Sequence, residues 1–294
     1  MWKYISFIIA VLFILVLNSC NNREKIIDQR LLPNNDFRLF QGTPAWDLAK
    51  AVEDEDEEGI CRILKENPQL ADYQSPRYGV SLLHLAVAHN NMKSIECLLK
   101  AGANINIRDK EYGETPLNLA CCNGYSKDES IKIIKYLIRN GAEINVAEVT
   151  DSTDMPFSPL MSACFDGFME AVIILIDNGA DINYIRNGES TALGESLMVN
   201  HYKIAYYLLL HNADFTFPTL HIKDYEKGGK GKIVRKVYIK EDMEKMKIRY
   251  FTQEREYYYK IVDFLKGKGI IIKESGERNF EFSTFIKEIR ELRE

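Results

Sequence analysis

The 294-residue sequence lacks an apolar run long enough for an ordinary membrane-spanning helix. Its longest, Ile5 to Leu17, would rise roughly 20 Å as a helix, short of the ~30 Å hydrocarbon core. The slightly longer Trp2–Leu17 could span only with tilt or local thinning. Histidine is scarce, with five in the whole chain, and only His84 and His89 lie near each other. No His-Glu-x-x-His, no Cys-x-x-Cys and no phosphate loop ending in Gly-Lys-Ser/Thr is present, which removes the common zinc-peptidase, dithiol and nucleotide signatures. Gly228 to Gly231 is glycine-rich but has the wrong ending. Ser190, Ser196 and His201 are close in sequence, but no strand-to-helix nucleophile turn surrounds either serine. A positive charge excess is missing too. The formal net charge is −5, which argues against a nucleic-acid binder. Leaving out Cys20, the five cysteines Cys61, Cys97, Cys121, Cys122 and Cys164 are irregularly spaced and odd in number, unlike a disulfide framework. Most are read as small buried hydrophobes. No cofactor and no metal site is expected.

What is present begins with an address. Lys3, the short apolar middle and the small polar residues after it fit an export signal. Leu17-Asn18-Ser19-Cys20 resembles the lipobox of bacterial lipoproteins, with Leu17 at the apolar position, Ser19 at the small one and Cys20 at the modified one. Asn18 departs from that pattern. The resemblance implies removal of residues 1–19, lipidation of Cys20, and a protein held at a bacterial cell-envelope membrane, facing the periplasm or exterior. Residues 20–42 would then form a tether and an N-terminal edge. The 275 residues left suffice for one extended or two compact domains.

Internal repetition organises the rest. Thr115-Pro116-Leu117-Asn118-Leu119-Ala120 is echoed by Ser81-Leu82-Leu83-His84-Leu85-Ala86, by Ser158-Pro159-Leu160-Met161-Ser162-Ala163 and by Thr191-Ala192-Leu193, with a first copy at Thr43–Ala49. A second phrase, Leu98-Leu99-Lys100-Ala101-Gly102-Ala103-Asn104-Ile105-Asn106, returns at Leu137–Asn145 and Leu175–Asn183, and at Leu208–Asp214 with Asn212 in place of glycine. Thr115 or Ser158 can cap a first helix, with Pro116 or Pro159 just inside it. Ile95, Leu98 and Leu99, and later Val172, Leu175 and Ile176, give a second helix its apolar stripe. Gly102, Gly141, Gly179 and Asn212 supply the left-handed residue that stops it.

These phrases resemble ankyrin repeats over about residues 43–217. The resemblance implies an all-α solenoid of about five units in residues 43–218, each a helix, a turn, an antiparallel helix and a projecting fingertip loop. It also implies that His84 hydrogen-bonds between units. Thr115 to Ser158 spans 43 residues, against 34 and 33 for its neighbours, and Ala147–Phe157 is read as a lengthened fingertip loop. The acidic run Glu53–Glu58 is read as a solvated turn. After Pro218 the pattern fades into a mainly helical cap, residues 219–294. Phe251 to Leu265 is expected to be a helix facing inward through Tyr258, Ile261, Val262 and Leu265, and Glu281–Glu294 a last amphipathic helix. The lysine-rich stretch 223–249 is interleaved with acids and is read as a solvated surface, with contact to anionic lipid headgroups as the alternative.

The function expected from the resemblance is non-catalytic binding of another protein by a chain that is otherwise monomeric. Fingertips and the ends of first helices are the family's usual partner surface. Carried onto this chain, the fingertips offer Arg108, Lys110, Glu111 and Tyr112, then Tyr184, Arg186 and Asn187. The helix ends offer His89, Asn123, Asp166 and Val199. The alternatives are a structural envelope spacer, or an enzyme or enzyme accessory using the C-terminal segment, which holds one histidine, His221, and no cysteine.

Overall fold

The computed structural model describes residues 28, 32–122, 127–145, 157–188, 190–217, 220–224, 232–237, 239 and 254–270. Cys20, Asn123, the loop 147–156, most of 223–249 and the expected helix Glu281–Glu294 lie outside them. The chain divides into two compact units, Met1–Pro156 and Phe157–Glu294. The division falls at the end of the lengthened loop read from the spacing.

The first unit opens with a 3-10 turn, Phe37–Phe40, capped by Asp36. Burial works against the Asp36 charge, but hydrogen bonds from the Arg38 backbone and guanidinium hold its carboxyl below the usual value. Six helices follow: α1 Trp46–Glu53, α2 Glu57–Glu66, α3 Leu82–Ala88, α4 Met92–Lys100, α5 Pro116–Cys122 and α6 Lys127–Arg139. They pack as antiparallel pairs, α1 on α2, α3 on α4 and α5 on α6, with α3 between α1 and α5 and α2 against α4. In the second unit α7 Pro159–Phe165 pairs with α8 Met169–Asp177, and α9 Ala192–Met198 pairs with α10 Tyr202–Leu210.

Local chemistry explains each start. Ser81 Oγ accepts from the His84 amide at 3.3 Å, Ser158 Oγ from Met161 at 3.2 Å, and Thr191 Oγ1 from Gly194 at 3.1 Å. The first copy differs. Thr43 Oγ1 donates to the Phe40 carbonyl at 2.6 Å and accepts from the Ala45 amide at 3.2 Å, and α1 begins only at Trp46. Between α1 and α2 the acidic run makes a turn, with Glu55 at φ +56° and Asp56 capping α2 through the Gly59 amide.

The stops are equally regular. Gly102, Gly141 and Gly179 stand at φ +95°, +91° and +89°, and Asn212 takes the same role at +66°. One residue later an amide reaches back five positions: Ala103 to Leu98, Ala142 to Leu137, Ala180 to Leu175 and Ala213 to Leu208, at 2.9–3.0 Å. The leucines that accept these bonds are fully buried, as are Ile95 and Val172. Each such side chain contributes roughly 1.5–3 kcal/mol by leaving water. Leu99 and Ile176 lie half-buried at the edge of their stripes.

Asparagines at the end of the second phrase tie one repeat to the next within each unit. Asn106 Oδ1 accepts from the Glu143 amide at 2.8 Å, and Asn183 Oδ1 from the Asp214 amide at 2.8 Å.

The second unit closes with two features. An antiparallel hairpin, β1 Leu220–Asp224 with β2 Lys232–Val237, was not expected from the lysine-rich sequence there; a bulge interrupts it between Ile222 and Lys223. Helix α11, Glu254–Gly267, was expected, and it buries Tyr258, Ile261, Val262 and Leu265 against α10. Tyr202 meets Tyr258 edge to face at 5.8 Å, and Glu254 accepts from the Lys203 amide at 2.8 Å. This helix ends as the repeats do, with Gly269 at φ +82° and Ile270 donating to the Leu265 carbonyl.

Candidate functional site

In the first unit the finger between α4 and α5 is organised by Asp109, a residue the sequence reading passed over. Its Oδ1 accepts from the amides of Glu111, Tyr112 and Gly113 at 2.9, 2.7 and 3.1 Å. The local signal was there, since an aspartate side chain readily accepts from the backbone amide two residues on, here Glu111. Neighbouring fingers are joined by Lys110 N to Tyr78 O at 2.9 Å, and by Gln74 Nε2, which donates to both Gly79 O and Arg108 O. Lys110 lays its stem on Gly79, where an added Cβ would meet it at 2.3 Å. Arg108 is half-buried and donates to the Gly113 carbonyl at 3.3 Å, so it braces its own finger. Glu111 and Tyr112 project, Tyr112 with 59% exposure. The Glu111 carboxylate raises the Tyr112 phenol above its ordinary value.

His89 caps the C-terminal end of α3 and is engaged within the chain. Its Nε2 lies 2.8 Å from the Asn35 carbonyl, and its ring lies 4.9 Å from that of Phe37.

In the second unit the finger is a small hairpin in which Arg186 and Ser190 exchange both backbone bonds. Asn187 and Gly188 stand at φ +53° and +68°, so Asn187 fits this place through its tolerance of the left-handed region. Tyr184 is half-buried beside it. The Arg186 guanidinium lies 4.5 Å above the Phe157 ring, and Phe157 meets Phe165 edge to face at 6.4 Å. Asp166 and Val199 follow α7 and α9 as their C-caps. Partial desolvation raises the Asp166 carboxyl, and His201 opposes that shift.

The residues immediately before these two were missed. Phe165 and Met198 each stand seven residues after a cap, Ser158 and Thr191, on two helices that pack together, and they are 43% and 52% exposed. Their equivalent places on two packed helices make a short exposed apolar strip, and Ile185, beside Arg186 on the finger, is also exposed at 39%. Glu195 on α9 is buried, at the position held by Leu85, Leu119 and Ser162 in the other copies. Burial raises its carboxyl, Ser190 and Arg186 oppose the shift, and Oε2 has no hydrogen-bond partner.

Among the described residues no group of three or more His, Cys, Asp or Glu side chains is placed to hold a metal ion. No helix among them is long and apolar enough to cross a membrane.

Comparison with known proteins matches the family model for ankyrin repeats (3 copies) at residues 48–148 and 147–218, more than half the chain. Protein phosphatase 1 regulatory subunit 27 of Mus musculus is 36% identical over 115 residues, covering 39% of this chain and 68% of the mouse protein. Its Homo sapiens counterpart is 40% identical over 78 residues, 26% of this chain and 46% of that protein. Putative ankyrin repeat protein L371 of Acanthamoeba polyphaga mimivirus is 27% identical over 130 residues, 44% of this chain and 16% of its own length. Apart from the mouse protein, the match therefore spans less than half of each of these relatives. The capped first helices, the left-handed stops, the fingers and the matched residues agree: the chain belongs to the ankyrin-repeat family.

Proposed function

We propose that this non-catalytic repeat scaffold binds a protein partner through the apolar strip of its second unit, while a lipid on Cys20 anchors it to a membrane. The observation that carries the first half is the matched exposure of Phe165 and Met198 at equivalent ends of adjacent first helices. Large apolar side chains in water at a repeated position, with Arg186 and Tyr184 on a finger of the same unit, have the make-up of an interface centre. Two of the relatives carry names of phosphatase regulatory subunits, which supports a binding role and leaves the partner of this chain to experiment. Arg108 and Asn187 serve their own fingers, so Tyr112, Glu111 and Lys110 are the first unit's contribution to partner contact.

Crosslinking in intact cells followed by mass spectrometry identifies the partner. Phe165→Asp with Met198→Asp should cut its recovery at least about tenfold, equal to roughly 1.4 kcal/mol, while circular dichroism stays helical. Unchanged recovery removes this strip from the interface. The anchor rests on the lipobox-like Leu17–Cys20 alone. Cys20→Ala should shift the protein from the membrane to the soluble fraction, and acyl mass on the N-terminal peptide of the unaltered chain should be absent from the variant. Retention of residues 1–19 with no acyl mass at Cys20 overturns it.

A further inference from the structure

We propose that residues 32–37 are an internal ligand, seated on Tyr78 and His89 of the first unit, and that this surface recognises peptides whose two apolar side chains, five residues apart, flank a tight turn such as the one closed here by the Asp36 amide on the Pro33 carbonyl at 3.3 Å. The proposal rests on reading the chain as a binding scaffold. Leu32 and Phe37 are 5% and 4% exposed, whereas Pro33, Asn34 and Asn35 between them are open to water. The contacts made by this stretch are those of a bound peptide. The Leu32 carbonyl accepts from Tyr78 Oη at 3.0 Å, the Asn35 carbonyl lies 2.8 Å from His89 Nε2, and the Phe37 ring rests on the His89 imidazole. Tyr78 belongs to a finger and His89 to the end of a first helix, so the segment runs between the two kinds of element that this family turns toward partners.

Recognition here is through main-chain carbonyls and two apolar anchors, with the residues between them left free, so sequence matters at two positions only. A clamp at the downstream end fixes the arrangement. There Asp36 and Arg38 form a two-point ion pair, with Arg38 Nη2 2.6 Å from Asp36 Oδ2, and lead the chain into the 3-10 turn under α1. The corresponding helix ends of the second unit carry the uncovered Phe165 and Met198 instead. An internal segment competes at an effective concentration on the order of millimolar. A free peptide of the same chemistry therefore meets a surface already covered.

The test uses the full chain and a fluorescein-labelled synthetic peptide of residues 32–41. Leu32→Asp with Phe37→Ser removes both apolar anchors of the internal segment and leaves the buried Leu39 and Phe40 of the 3-10 turn in place. Fluorescence anisotropy should show the peptide binding this variant at least about tenfold more tightly than the unaltered chain. Adding Tyr78→Phe and His89→Ala should abolish that gain. Equal binding to both chains, no binding to either, or binding that survives the loss of Tyr78 and His89 overturns the proposal. A second measurement guards against misfolding. In the chain carrying only Tyr78→Phe and His89→Ala, amide exchange in residues 32–40 should quicken about tenfold, with α1 to α4 unchanged. Exchange of the segment in step with those helices would make it a structural cap and overturn the proposal. Both readouts are independent of partner recovery at Phe165 and Met198, so the two readings stand or fall separately.

Discussion

The His84 imidazole donates from Nε2 to the Glu114 carbonyl at 3.0 Å, joining two successive repeats through one side chain. The tautomer is set by its other nitrogen, since the Ser81 amide donates to Nδ1 at 3.1 Å. In the next copy Asn118 takes over the local half of this arrangement, accepting from Thr115 N and Oγ1 at 3.1 and 2.8 Å.

Burial holds the His84 ring below the usual histidine value of 6.5. A depressed folded value means the unfolded chain binds the proton more readily, so stability present above pH 6.5 is lost as pH falls through the folded value. His84→Asn should keep the Ser81 cap, lose the bond to Glu114 at a cost of about 1 kcal/mol, and flatten the acid side of the stability curve. Thermal melts between pH 4 and 8 read both effects. An acid limb of unchanged steepness would show that other groups govern it.

Glu195 predicts the opposite slope. Its raised carboxyl holds a proton better in the folded chain than the usual 4.5 allows, so its contribution is present below pH 4.5 and is lost as pH rises through the folded value. Glu195→Leu copies Leu85 and Leu119 at the same position and removes a buried, half-partnered charge. It should raise stability at pH 7.5 by about 1 kcal/mol, or about 2–4 °C in Tm, with the gain vanishing near pH 4. Equal gains at both pH values would point to packing instead of charge.

The thiols sort by place. Cys97, Cys121 and Cys164 are buried, Cys122 is intermediate and Cys61 is exposed on α2. Burial pushes the Cys97 and Cys164 thiols up, away from the reactive thiolate. Cys61 should react first with a disulfide reagent at pH 8. Cys164 should be on the order of a hundredfold slower, because its reaction waits for local opening. Peptide mapping of partly labelled protein checks the order.

Caps, stripes and stops were legible because each depends on residues within one turn of one another. Ser158 with Met161, and Gly179 with Ala180, need nothing from elsewhere. The helix through Tyr258 and Leu265 was legible for the same reason. The hairpin was not: Gly228-Gly229-Lys230-Gly231 marks a turn, but Leu220 pairs with Val237 across seventeen positions and the flanking lysine-rich stretches carry no strand alternation that announces the pairing. Long-range engagement hid the state of His89 as well, since Asn35 lies 54 positions away in a segment with no periodicity. Phe165 and Met198 failed differently. Large apolar residues in a helix read as core, and only their place at the last turn puts them in water.

The way α11 ends bears on how such an array changes length. It keeps the left-handed glycine and the five-residue return bond of an internal second helix. Its inward face through Ile261 and Leu265 is cut to the outer face of α10, with Phe264 against Phe215 at 6.1 Å. A repeat inserted between α8 and α9 would leave the α10–α11 contact untouched, so the array can lengthen there without a new partner for α11.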